Sequence, residues 1–174
     1  MPRGRTDLRS GLAPFVTIEV RRAERRGARA AADRAFVTDL GRRCVMSSVG
    51  SLRPAPSANA REAFDRLCEV VESQSHVTLI ASRNGESVGF LLMLDNLPDE
   101  VTLLPQAFVA YMAVEPSVRK AGVGAALLAA AEDEARRRGL PYMALMVTEE
   151  NAPALRLYER GGYRTERRLL CKPL

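Results

Sequence analysis

The sequence lacks tryptophan and has little histidine or cysteine: its 174 residues include one His and three Cys. The cysteines, Cys44, Cys68 and Cys171, are far apart and form no Cys-x-x-Cys pair. This set favours free, buried thiols in a reducing cytoplasm over a disulfide framework. The only histidine, His76, precedes an apolar stretch and has no candidate ligand beside it, so we predict no metal site.

Long apolar runs are also missing. No stretch is long enough to act as a signal peptide or to cross a bilayer, so we expect no membrane partner. Hydrophobic residues still make up 47% of the chain, and its length suits one domain with a substantial core. We predict a single domain over residues 15–174, preceded by a flexible polar tail over residues 1–14.

The net charge of +5 is concentrated towards the amino terminus. A basic patch can bind nucleic acid or a phosphorylated ligand. The five Phe and four Tyr do not alternate with the basic residues, which makes nucleic-acid binding the least favoured function. The clustered arginines are Arg3, Arg5, Arg9, Arg21, Arg22, Arg25, Arg26 and Arg29.

The hydrophobic pattern predicts an α/β domain, α+β by some schemes, with a mixed central sheet of about six to seven strands and helices on both faces. Apolar residues at spacing four predict a helix from Ala23 to the region 44–48, and Ser57 or Asn59 is expected to cap a second helix. Asn84-Gly85-Glu86 predicts a hairpin turn. Two further helices end at Gly139 and Arg160, and the predicted strands are 15–20, 76–81, 88–94, 108–114, 142–147 and 163–170.

The segment Arg-Lys-Ala-Gly-Val-Gly, residues 119–124, joins the predicted central strand to the next helix. The first amides of a helix have no intrahelical partner and present a partial positive charge. Gly122 and Gly124 have no Cβ, so an anion can approach these amides, and Arg119 and Lys120 add full charges. The segment has neither the Gly-Lys-Ser/Thr of a P-loop nor the glycine spacing of a dinucleotide fingerprint. It predicts a pyrophosphate-binding loop, with an ordinary basic strand-to-helix turn as the alternative.

These residues resemble the signature of the GNAT superfamily of acyl-CoA-dependent N-acyltransferases: Arg or Gln, two residues, Gly, one residue, then Gly or Ala after the fourth strand. The resemblance extends to residues 151–163 and is strong from Val88 onward. It implies the GNAT fold, with the pyrophosphate of coenzyme A on this loop and the pantetheine arm on the backbone of the central strand. The implied cofactor-binding residues are Met112, Ala113, Val114, Arg119, Lys120, Ala121, Gly122, Val123, Gly124, Ala125, Asn151 and Tyr158.

The resemblance also implies that Tyr158, in a Leu-Tyr pair, is the proton donor to the leaving thiolate. A phenol has an ordinary pKa near 10 and is protonated at neutral pH. The alternative is a core tyrosine with a structural hydrogen bond. Asn151 is expected to orient the cofactor arm, or only to cap the helix that follows it.

A dedicated general base is missing from the pattern. Family members commonly place Glu or His at the positions of Phe108 and Ala110, and others use a carboxylate where this chain has Met146. The remaining carboxylates near the expected cleft are Glu149, Glu150 and Glu115, any of which could act through a water. Alternatively, the acceptor arrives as a neutral amine.

We therefore expect an acetyl-CoA-dependent N-acetyltransferase whose acceptor is a primary amine, a small molecule or a peptide amine, attacking directly in a ternary complex. Asp95, Asp99 and Glu100 would favour a cationic amine if their loop borders the acceptor site, or they only solubilise the surface. The alternatives are a catalytically silent acyl-CoA-binding module and, less favoured, a nucleic-acid-binding protein. The acceptor is not identified by the sequence, and a homodimer is compatible with it.

Overall fold

Residues 17–174 are described by the structure, which is a computed structural model. The predicted tail, residues 1–14, lies outside the described residues. The described part contains one five-stranded mixed sheet, ordered as in the chain, in which the first four strands are antiparallel neighbours and the fifth is parallel to the fourth. The strands are β1 (Ile18–Arg22), β2 (His76–Arg83), β3 (Glu86–Leu94), β4 (Gln106–Val114) and β5 (Tyr142–Leu145).

Helices cover both faces of this sheet, which confirms the predicted layers. One face packs against α1 and α2 through Leu40, Phe64 and Phe90, and the other packs against α3 and α4 through Leu127 and Leu157. The strand β3 lies between the two layers and is therefore apolar on both sides, which is typical of a strand buried on both faces. The helices are α1 (Ala28–Cys44), α2 (Ser57–Ser73), α3 (Val123–Arg137) and α4 (Ala152–Arg160).

The predicted hairpin turn is confirmed between β2 and β3. Asn84 and Gly85 have φ angles of 54° and 82°, the left-handed conformation at both central positions that a type I′ turn requires. The predicted end of α3 is confirmed as well, because Gly139 follows the helix with a φ of 70° and its amide donates to the Arg136 carbonyl.

The predicted count of about six to seven strands and the predicted strand Tyr163–Leu170 are wrong. Within residues 17–174 the sheet has five strands, and the chain after α4 adds none. This segment has no apolar face to bury: its charged residues are exposed, Leu169 and Leu170 are 72% and 88% exposed, and Arg167 pairs with Asp99 on the loop before β4. Pairing of this segment with the sheet would bury little apolar area and so would stabilise it little.

Two other predicted boundaries also differ. The first helix begins at Ala28 rather than Ala23, because the Ala23 amide still donates to the Thr78 carbonyl of β2. The strand predicted to reach residue 147 ends at Leu145, where its pairing with β4 stops.

A buried carboxylate fixes the carboxyl end of α3 against the sheet. Glu134 is fully buried and accepts hydrogen bonds from Arg22 at 2.6 and 2.5 Å, from Arg138 at 2.7 Å, and from Arg137. Arg138 also pairs with Asp95 just after β3. Because a buried charge is costly unless it is paired, the hydrogen bonds from these arginines offset the cost of burying the Glu134 carboxylate.

We expect Glu134→Gln to lower the free energy of unfolding by about 2–3 kcal/mol, since it removes charge-assisted hydrogen bonds from a buried site. The matched control is Glu132→Gln, which affects a surface ion pair with Arg136 on the same helix and should cost less than about 1 kcal/mol. Urea denaturation of both variants checks this. Equal stability of the two variants would contradict the role assigned to Glu134.

Candidate active site

The two parallel strands of the sheet separate part-way along β4. Their pairing ends at Val109 and Leu145, although β4 continues to Val114. The register of β4 with β3 skips Ala110, which marks a β-bulge. A bulge bends its strand and increases the local twist, so β4 turns away from β5 at this residue. Among residues 17–174, the backbone of Ala110–Val114 therefore has no strand partner on the β5 side, and we call the unpaired region beside it the gap.

The expected contacts for the pantetheine arm, Met112, Ala113 and Val114, all lie on this unpaired edge. At the same end of the sheet, the loop after β4 leads into the amino terminus of α3. The first helical hydrogen bond there runs from the Ala126 amide to the Gly122 carbonyl at 3.0 Å. The amides of the three residues between them therefore have no partner within the helix.

The loop before α3 has an unusual backbone conformation. Lys120 has a φ of 66° and Gly122 a φ of 89°, so two left-handed residues flank Ala121. Alternating backbone conformations of this kind turn amides inward and form concave anion sites. A left-handed lysine is strained, and such strain is concentrated at functional positions. Ala121 and Ala125 are exposed, which leaves this end of α3 open to solvent.

Gly124 marks a close approach of three elements. A Cβ at this position would lie 3.0 Å from Leu157 Cδ2 of α4 and 3.9 Å from Met112 Cε of β4. Because 3.0 Å is closer than normal carbon contacts, a side chain here would require the Leu157 side chain to shift by a few tenths of an ångström. Gly124, in the first turn of α3, thus lets Leu157 of α4 pack closely against it.

The two basic residues of the loop differ in position. The guanidinium of Arg119 lies against the end of β4, where Nε donates to the Val114 carbonyl at 3.5 Å and a terminal nitrogen is 3.8 Å from Cys44 Sγ. Lys120 is exposed and, among residues 17–174, forms no hydrogen bond or ion pair. Its ammonium is therefore available to an anion at the amino terminus of α3.

The helix α4 and its amino-terminal cap residue carry the two side chains that were expected to contact the cofactor arm. Asn151 caps the helix, because its Oδ1 accepts from the Ala154 amide at 3.3 Å, and its Nδ2 also donates to the Ser47 carbonyl at 3.3 Å. Tyr158 packs edge-on against Tyr163 with ring centroids 5.8 Å apart. Partial burial raises the pKa of the Tyr158 phenol, so it stays protonated at neutral pH.

The three carboxylates considered as bases have different surroundings. Glu115 accepts two hydrogen bonds from Arg43 at 3.0 and 2.5 Å, and this guanidinium lowers the pKa of the carboxyl. Glu150 accepts hydrogen bonds from Ser51. Glu149 is exposed and has no hydrogen-bond or ion-pair partner within the described part of the chain.

Apolar side chains occupy the positions where other proteins place a base. Phe108 and Ala110 pack against the core on the α1 and α2 side, and Met146 is 73% exposed. One polar group on β4 was missed: the Tyr111 side chain lies next to Ser48, and burial raises the pKa of its phenol to about 12. A tyrosine in an otherwise apolar strand was the only signal for it.

Comparison with known proteins agrees with this geometry. Residues 49–163 match the acetyltransferase (GNAT) family. The chain belongs to this family. The uncharacterized N-acetyltransferase YhfO of Bacillus subtilis (strain 168) is 33% identical to this GNAT protein over 111 residues, 64% of the chain and 72% of YhfO. The GNAT chain also matches mycothiol acetyltransferases, of whose length it spans only 19–31%.

Solved structures show the same fold. The Pyrococcus furiosus protein named "Putative acetyl transferase" matches with a TM-score of 0.74 and 25% identity, over 91% of this GNAT chain and 100% of that one. The aminoglycoside N-acetyltransferase AAC(6')-Iy, solved in complex with CoA, matches with a TM-score of 0.62 and 18% identity, over 90% and 98% of the two chains.

Two structural features are absent from residues 17–174 of this GNAT protein. None of its helices there combines the length and the apolar character needed to cross a membrane. No group of three or more His, Cys, Asp or Glu side chains in that range is arranged to hold a metal ion.

We expect Arg119→Glu to weaken coenzyme A binding about tenfold or more, because a charge-assisted phosphate contact is worth roughly 1.5–3 kcal/mol and the new carboxylate would repel the anion. Gly124→Trp should also weaken binding by filling the space beside Leu157. Isothermal titration calorimetry with coenzyme A measures both effects. The control is Arg34→Glu, the same charge change at an exposed position of α1. Wild-type affinity in a folded Arg119→Glu protein would exclude Arg119 from the anion site.

Proposed function

We propose that this protein is an acetyl-CoA-dependent N-acetyltransferase whose acceptor is a primary amine of a small molecule or a peptide. The observation that carries the proposal is the unpaired edge of β4 beyond Val109, which leads directly to the first amides of α3, those without a partner inside the helix. An extended amide-containing chain can hydrogen-bond to such an edge while its anionic end binds the helix terminus. The CoA complex of a protein with the same fold supports this choice of ligand.

The chain would hold the cofactor mainly through its backbone. Met112, Ala113 and Val114 offer the unpaired edge, and residues 119–125 offer amides and two cationic side chains. When bound, acetyl-CoA supplies an acetyl group activated as a thioester. Gly124 fits this ligand, because a side chain at that position would crowd Leu157 and take up space beside the helix amides.

The remaining chemistry needs two proton transfers. The attacking nitrogen forms a bond to the acetyl carbon as the carbon–sulfur bond breaks, so the nitrogen loses a proton and the departing sulfur gains one. We assign the second transfer to Tyr158, which carries a proton at neutral pH. For the first transfer we favour Glu149 through a water, because its carboxylate is exposed and unpaired within the described residues. A neutral acceptor amine would need no base.

A catalytically silent acyl-CoA-binding module is the second candidate, and one observation favours it. Phe108 and Ala110 are apolar, so β4 contributes no carboxylate or imidazole to the gap. An assay of coenzyme A release from acetyl-CoA with a panel of primary amines separates the two functions. The enzyme should turn over with at least one amine, whereas a silent module binds acetyl-CoA and releases no coenzyme A with any amine.

We expect Tyr158→Phe to lower kcat by about 10²–10⁴, the usual contribution of a positioned general acid. Affinity for coenzyme A should change little, because the proton is needed only as the thiolate departs. Tyr163→Phe is the matched control: it removes a phenol from the same aromatic pair and should leave kcat within a few-fold. Wild-type kcat in Tyr158→Phe, measured where chemistry limits the rate, would make Tyr158 a packing residue.

A further inference from the structure

A short segment after α1 lies across the open end of the gap between β4 and β5. This segment, residues 45–51, begins with one turn of 3-10 helix, Val45–Ser48, and reaches the loop between β5 and α4. Three of its residues hydrogen-bond to that loop although 99–104 positions separate the partners in sequence. The segment and the loop therefore form a bridge between the α1 and α4 sides of the molecule.

The individual contacts of the bridge are short. Thr148 Oγ1 donates to the Ser48 carbonyl at 2.7 Å, and the Asn151 side chain donates to the Ser47 carbonyl at 3.3 Å. Glu150 makes the most extensive contact: its carboxylate accepts from the Ser51 amide at 3.0 and 3.1 Å and from Ser51 Oγ at 2.5 Å. Loss of Glu150 would thus leave the far end of the segment without its charge-assisted bonds.

The near end of the same segment lies against β4. The Ser48 side chain is next to the Tyr111 phenol on the strand, and Val45 is buried in the core cluster beneath α1 and α2. The segment therefore contacts β4 on one side and hydrogen-bonds to the β5–α4 loop on the other. Because these two elements border the gap, the segment lies at its opening on the α1 and α2 face.

We propose that Glu150 is a positioning residue that holds segment 45–51 as the wall of the acceptor site. This inference rests on the proposed acetyl transfer, in which the amine must reach the cofactor's acetyl group at the gap. The wall limits the space for the amine and restricts the entry of water. Glu150 then affects amine binding and does not itself exchange a proton with the amine.

The surroundings of Glu150 favour this role over that of a base. Both carboxylate oxygens already accept hydrogen bonds from Ser51, which stabilise the charged form. The same hydrogen bonds, from the side chain first and then from the backbone, lower the pKa of the carboxyl and make it a weaker proton acceptor. Its neighbour Glu149 has no such partner within residues 17–174.

Comparing two substitutions at this position distinguishes a positioning residue from a base. The amide oxygen of Glu150→Gln can still accept from Ser51, so we expect kcat and the KM for the amine within about threefold of wild type. Glu150→Ala removes the acceptor, and we expect the KM for the amine to rise about tenfold, with the KM for acetyl-CoA nearly unchanged. The control is Glu159→Ala, an exposed carboxylate on α4 that should leave both constants unchanged. An equal loss of about 10²–10⁴ in kcat for both Glu150 variants would overturn the proposal and identify a base.

Hydrogen–deuterium exchange of residues 45–53 tests the wall without any measurement of activity. In Glu150→Ala the Ser51 amide loses its acceptor, so we expect exchange in this segment at least about tenfold faster than in wild type. Glu150→Gln and Glu159→Ala should exchange within a few-fold of wild type. Unchanged exchange in Glu150→Ala would overturn the proposal. If exchange responds as expected but no amine is acetylated by the wild-type protein, the acetyl transfer proposal fails while the attachment of the segment stands.

Discussion

The separation of β4 from β5 is the constraint on which the rest of the site depends. A sheet normally satisfies its backbone groups by strand pairing, and an unpaired stretch must find water or another partner. The pairing of β4 with β5 ends at the bulge at Ala110, whereas its pairing with β3 continues. β4 is therefore held by β3 along one edge and has an open edge on the β5 side. A rigid, open edge inside a protein suits the binding of an extended ligand.

Every other part of the site is arranged around that opening. The amino termini of α3 and α4 lie at the end where the strands diverge, and Gly124 allows the two helices to approach β4 closely. On the opposite face, the segment after α1 hydrogen-bonds to the β5–α4 loop through the Ser51 hydroxyl and backbone groups. The site is thus built from three parts of the chain that are remote in sequence, which agrees with a site formed only in the complete domain.

Local sequence chemistry predicted much of the fold. The Asn84-Gly85 turn, the helices on both faces and the end of α3 at Gly139 each depend on conformational preferences of a few neighbouring residues. The predicted strand over 163–170 failed because this segment has no apolar face that pairing with the sheet would bury. Its charged residues stay in solvent, and one of them, Arg167, pairs with a distant loop.

The candidate site was likewise predictable only where its features depend on a few neighbouring residues. The glycine-containing loop could be read from residues 119–124, since a helix start and two glycines are local features. The bulge at Ala110 and the bonds between Glu150 and Ser51 could not be read, because the first depends on the register of strands and the second on contacts across about a hundred residues. The contact with Ser51 also distinguishes Glu150 from Glu149, whereas the sequence alone gives no reason to treat these two neighbours differently.

The anchoring of α3 at its far end has a consequence for the thermodynamics of ligand binding. The helix has 15 residues, and Glu134 and Arg138 attach its carboxyl end to β1 and to the end of β3 before any ligand arrives. Its amino-terminal amides are therefore preorganised, and an anion does not have to order the helix in order to bind. A flexible phosphate-binding loop would lose conformational entropy when it binds its ligand, whereas here that entropy is already lost on folding. The binding entropy should therefore reflect mainly displaced water.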